Sequence, residues 1–83
     1  MDWYDDTVDA LAAATGLDAT GLRLDNDMRT ELLDLARIAS HDSGERINAP
    51  FLCYALGLAV ARGASLDAMA RVIRERYAER RPD

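Results

Sequence analysis

Apolar positions along this chain recur with the period of an α-helix, and no segment alternates as a strand would. Trp3, Tyr4, Thr7, Val8 and Leu11 fall at i, i+1, i+4, i+5 and i+8, one stripe of a first helix over residues 2–15. Asp2, Asp5 and Asp6 lie near its start, where carboxylates suit the positive end of the helix dipole. Gly16 is its stop, with Leu17 folding back as the hydrophobic contact of the cap. Trp3 and Tyr4 are expected to anchor this helix in the core, and Leu17, Leu22 and Leu24 to tack the following connection onto it.

A second helix, 26–43, opens at Asp25-Asn26-Asp27 and ends at Ser43-Gly44. Met28, Leu32, Leu35, Ala36 and Ala39 form its core stripe, widened by Leu33 and Ile38. Asn48-Ala49-Pro50 is a helix-start signal: Asn caps well, and proline is tolerated in a first turn because its missing N–H had no partner there. The third helix, 49–62, is apolar on every face until Arg62. A helix with no polar face must be surrounded, so it is predicted to be the buried centre of the domain. Gly57 costs about 1 kcal/mol relative to alanine, and the expected return is close approach of a neighbouring helix. Ser65 caps a fourth helix, 66–80, with the stripe Leu66, Met69, Ala70, Ile73 and Tyr77, after which Arg81-Pro82-Asp83 should fray. The prediction is one all-α domain over 1–83, a compact four-helix fold around a buried, all-apolar third helix.

Composition narrows the function. At 83 residues the chain buries only roughly 60% of its unfolded surface, too little for a deep cleft between two layers. A net charge of −5 argues against nucleic acid as a partner, because that affinity comes from cations neutralising phosphates. One cysteine and one histidine leave no disulfide framework and no zinc site, so neither a metal nor a cofactor is expected. The longest uncharged apolar stretch, 51–61, is short of the ~20 residues of a membrane helix, and the N-terminus is acidic where a signal peptide is basic. A cytoplasmic protein is the expectation. All ten basic residues are arginine, which fits nucleotide bias in a GC-rich genome.

Charge is unevenly divided. Residues 1–34 carry nine acids and two arginines, net −7, whereas 35–83 carry eight arginines and six acids, net +2. Such runs usually only solvate a face; the sharper alternative is head-to-tail association, or a partner docked on the last helix.

The chemically loaded stretch runs from Asp34 to Arg46. Arg37 and His41 share a face at i, i+4, and Arg46 lies just beyond the turn. Together they make a candidate anion or partner site; the commoner reading is structural, with His41 complementing the helix dipole, Arg37 pairing with Asp34 or Asp42, and the set locking the turn between the second and third helices. His41-Asp42 lacks the further histidines of a phosphohydrolase metal site. Asp42-Ser43 is similar to the phosphopantetheine attachment pair of acyl carrier proteins, but it is followed by glycine and closes a helix instead of opening one. Asp25-Asn26-Asp27 lacks the glycine and the final acid of a calcium loop. Cys53, inside an apolar run, reads as a core residue. No catalytic constellation is identified.

Leu33-Asp34-Leu35-Ala36-Arg37, then Ala39-x-His41, then Arg46-x-x-Ala49-Pro50, then an apolar helix with Gly57-x-Ala59, resembles a small bacterial helical domain of unknown function. Trp3, Leu11 and Gly16-Leu17-Asp18 are similar as well, so the likeness covers most of residues 3–63. Phe51, where leucine is usual, and the polar gap at 42–45 depart from the pattern. That domain stands alone or is fused behind the nucleotidyltransferase domain of molybdenum-cofactor guanylyltransferase-like proteins. The resemblance implies a non-enzymatic accessory module linked to molybdopterin guanine dinucleotide biosynthesis, with a protein of that pathway as partner. Arg37, His41, Arg46, Ala49, Pro50 and Gly57 carry over as motif positions only. The alternatives are a small acyl-carrier-like protein using Ser43 and a self-associating structural protein, with a homodimer as the commonest form of the latter.

Overall fold

The computed structural model describes residues 2–77. Five helices follow one another in the order α1 (Trp3–Thr15), α2 (Ala19–Leu22), α3 (Asn26–Ser43), α4 (Asn48–Ala61) and α5 (Leu66–Tyr77). The fold is all-α, with four long helices and no strand among the described residues. The expected run of the last helix to residue 80, and the fraying of Arg81-Pro82-Asp83, lie outside the described residues.

Local chemistry sets the helix ends. Asp2, Asp18 and Asp25 each accept a backbone N–H of the turn they open, at 2.8, 3.0 and 2.8 Å. Ser65 Oγ accepts the N–H of Ala68 at 3.2 Å and so caps α5. Gly16 and Gly44 terminate α1 and α3 in the left-handed region, φ 76° in both, which an L side chain adopts only with strain. The start of α4 differs from expectation: Asn48 is helical, and no side chain caps the helix. The N–H groups of Asn48 and Ala49 donate instead to the carbonyls of Glu45 and Arg46, and Pro50 has no N–H to satisfy. A turn running directly into the helix replaces the cap.

The core is built by three helices. Leu35 and Ile38 of α3, Leu56 of α4, and Ala70 and Ile73 of α5 form one buried cluster, flanked by Leu32, Leu52, Leu66, Met69 and Tyr77. The stripe read for the last helix therefore faces the core. On α3 only part of the stripe is buried, and Leu33 is 72% exposed. α1 contributes nothing to this cluster. It packs chiefly on α2, burying Val8 and Ala12.

Four expectations are corrected by this packing. The all-apolar helix is not surrounded: α4 buries only Leu56, because α3 covers one side of it, α5 touches it lightly, and α1 packs chiefly on α2. No neighbour approaches Gly57, where an added Cβ would meet nothing within 4 Å. Trp3 is 79% exposed and anchors nothing in the core, while Tyr4 is only half-buried. Leu17 is 58% exposed and Leu22 37%, because the 18–24 connection forms the short helix α2 against α1. The result is elongated, with a radius of gyration of 14.3 Å, against about 12 Å for a compact chain of this length.

Candidate functional site

Several charged side chains hold helices together. Arg74 of α5 reaches α3, where its Nη1 and Nη2 donate to both oxygens of Glu31 at 3.1 and 2.7 Å. Its Nε and Nη2 also donate to Asp34 Oδ2 at 3.2 and 2.8 Å. Arg37, one turn along α3, donates to the other oxygen, Asp34 Oδ1, at 3.2 and 2.7 Å. Two guanidinium forks thus share two carboxylates, a geometry suited to arginine and not to a point charge. Hydrogen bonds from Arg74 hold Glu31 below the usual carboxylate range, and those from Arg37 and then Arg74 do the same to Asp34. Arg74 is pushed up in turn by Glu31 and Asp34.

The N-terminal hairpin is tied down in the same way. Arg23 pairs with Asp5 and Asp9 of α1, and Arg29 of α3 lies 3.9 Å from Asp2. Arg29 also stacks on the Tyr4 ring at 4.7 Å, while the Tyr4 hydroxyl accepts the Leu24 N–H at 3.0 Å. The acidic first third is therefore partly neutralised within the molecule.

The three candidate anion-site residues are held differently. Arg37 gives its fork to Asp34, while His41 and Arg46 are exposed and their side chains make no hydrogen bond or ion pair within the described residues. The turn they border is held by other atoms. Ser43 Oγ accepts the Glu45 N–H at 3.1 Å and donates to the Glu45 carbonyl at 3.2 Å, and the Gly44 N–H donates to Ser40 O. Ala49 and Pro50 sit in the first turn of α4, and Gly57 faces open solvent. Cys53 is half-buried and free, its thiol pushed up by burial. No group of three metal-donor side chains occurs among the described residues, and no described helix is long and apolar enough to cross a membrane.

What sequence reasoning missed is the outer side of α4. At about 100° per residue, Pro50, Phe51, Tyr54, Ala55, Gly57, Leu58 and Ala61 occupy one arc of roughly 160°, and every one of them is exposed. Ile47, just before the helix, extends the arc. Phe51 is 64% exposed and Tyr54 65%. The signal was present: Ile47, Phe51, Tyr54, Leu58 and Ala61 are spaced 4-3-4-3, the seam of a helix that packs against another helix. Assigning the apolar helix to the centre of the domain concealed it.

No curated protein and no solved structure matches the chain. A family model described as a domain of unknown function (DUF6457) matches residues 1–82, and the chain belongs to that family.

Proposed function

We propose that this protein is a non-enzymatic interaction module that works through the solvent-facing side of α4. The observation that carries the reading is the contiguous display of Phe51, Tyr54 and Leu58, with Ile47 just before them, on a helix whose opposite side is packed in the core. Apolar patches of that kind on small domains mark contact surfaces. Several polar groups are engaged within the chain: Arg74, Arg37, Glu31 and Asp34 neutralise one another, and Ser43 Oγ both donates and accepts within its own turn. That engagement also weighs against a carrier role for Ser43.

The narrower proposal is service in molybdenum-cofactor biosynthesis, supported by the motif from Leu33 to Gly57 and its resemblance to the domain that accompanies guanylyltransferase-like proteins. In that setting the exposed His41 and Arg46 are available to an acidic group of a partner, with Arg37 shared with Asp34.

A photoreactive residue at position 54, introduced in the native host, tests the module. A covalent protein adduct that disappears in a Leu58→Glu background is expected, and no adduct of any mass would overturn the interaction reading. Deleting the gene tests the pathway. Molybdoenzyme activity should fall, and unchanged activity removes the cofactor link while leaving the interaction reading standing.

A further inference from the structure

We infer that the occupant of the α4 face is a second copy of this chain, docked antiparallel, helix against helix, across a two-fold axis near Tyr54 and Ala55. The inference rests on the reading of α4 as a contact surface and names what covers it.

Three observations converge on a second copy. The first is spacing. A 4-3-4-3 seam of about 21 Å, from Ile47 to Ala61, fits the side-chain rows of another helix, not a flat surface or a small ligand. It is flanked by Ala55 and Gly57, so the backbones can come close, and the open space at Gly57 is space for a neighbour that the single chain lacks. The second is self-complementarity. A two-fold axis between Tyr54 and Ala55 sets Phe51 against the partner copy's Leu58 and Tyr54 against its Ala55, so each large side chain meets a medium or small one. The same operation carries Arg62 at the C-terminal end toward Glu45 at the other end. Arg62 is the charge at the C-terminal end of the arc, Glu45 and Arg46 are those before Ile47, and none of the three side chains has an ion-pair partner within the described residues. Antiparallel packing also opposes the two helix dipoles.

The third is area. At about 200 Å² per aromatic side chain, Phe51 and Tyr54 alone expose roughly 250 Å². With Ile47, Leu58 and the small flanking residues, the face offers on the order of 500 Å² per chain, or about 1,000 Å² per pair, the lower bound for a specific interface. A chain whose buried core cluster comprises Leu35, Ile38, Leu56, Ala70 and Ile73 gains much from covering that surface.

Sedimentation of the full chain across a hundredfold range of concentration tests the assignment. A species of about twice the 9.1 kDa chain mass is expected, shifting to the single-chain mass on dilution and in Leu58→Glu and Phe51→Arg variants that keep wild-type helical circular dichroism. With Cys53 replaced by serine, Ala55→Cys should form a reducible disulfide-linked dimer under mild oxidation. Arg62→Glu and Glu45→Arg should each weaken the dimer, and mixing the two variants should restore it. A chain of single mass at every concentration overturns the dimer, as does a dimer indifferent to all the α4 variants. Monomer together with a position-54 adduct to a different protein overturns the second copy alone; monomer without any adduct overturns the interaction reading as well.

Discussion

Leu33 and Leu35 lie two residues apart on α3, so their side chains point to nearly opposite sides of the helix. Leu35 is wholly buried, at 0% exposure, and Leu33 is 72% exposed. Leu35→Ala removes three carbons from the core cluster, a transfer loss of about 2.4 kcal/mol at ~0.8 kcal/mol per group. The cavity left behind raises the cost to about 3 kcal/mol or more. For a domain of this size that lowers Tm by roughly 12–24 °C, at about 4–8 °C per kcal/mol. Leu33→Ala removes the same carbons from a position that keeps about a quarter of that burial, and alanine is at least as good a helix former. Its cost should be about 0.5 kcal/mol or less. Thermal unfolding followed by circular dichroism at one low protein concentration measures both. Equal losses for the two variants would mean that α3 is rotated about its axis relative to the described packing, and the core assignment would fall with it.

Two further outcomes follow from the charged groups. Glu31 and Asp34 are depressed in the folded state, so their contribution is fully present above the unfolded carboxylate range near pH ~4 and is lost as pH falls through the folded values. Wild-type Tm should therefore fall more steeply below about pH 4 than that of Arg74→Gln, and parallel curves would refute the clasp. His41→Ala and Arg46→Ala should each change stability by about 0.5 kcal/mol or less, as expected for exposed side chains without partners; a large drop in Tm would make them the lock of the turn that Ser43 and the backbone otherwise provide.

The helical class and the ends of several helices were legible in the sequence because their causes are local. An aspartate at Asp25 or a serine at Ser65 satisfies N–H groups three residues away, and Gly16 and Gly44 take a backbone conformation that other residues resist. The stripe of α5 was legible for the same reason, since Ala70 and Ile73 are set by a period of 3.6. α2 was missed because four residues carry too little pattern to register.

The candidate site was harder to read. Arg37's pairing with Asp34 is local, at i, i+3, and was legible; what the sequence hid is Arg74, forty residues from Asp34 and adjacent only because α5 packs on α3, which takes the other carboxylate oxygen. The α4 sequence likewise says that an apolar helix of this kind needs cover on every side, without saying whether the cover comes from its own chain.

By itself the sequence determined that these residues form helices, where most of them begin and end, and which side of α5 is apolar, because caps, glycine and periodicity act within a few residues. Only the tertiary structure decided that α3, α4 and α5 make the core, that α1 packs chiefly on α2, and that Phe51, Tyr54 and Leu58 are left facing solvent. Burial belongs to the assembly of helices and not to any one of them. Three helices in contact have one shared interior, and an element that is apolar all round can turn only part of its surface toward it.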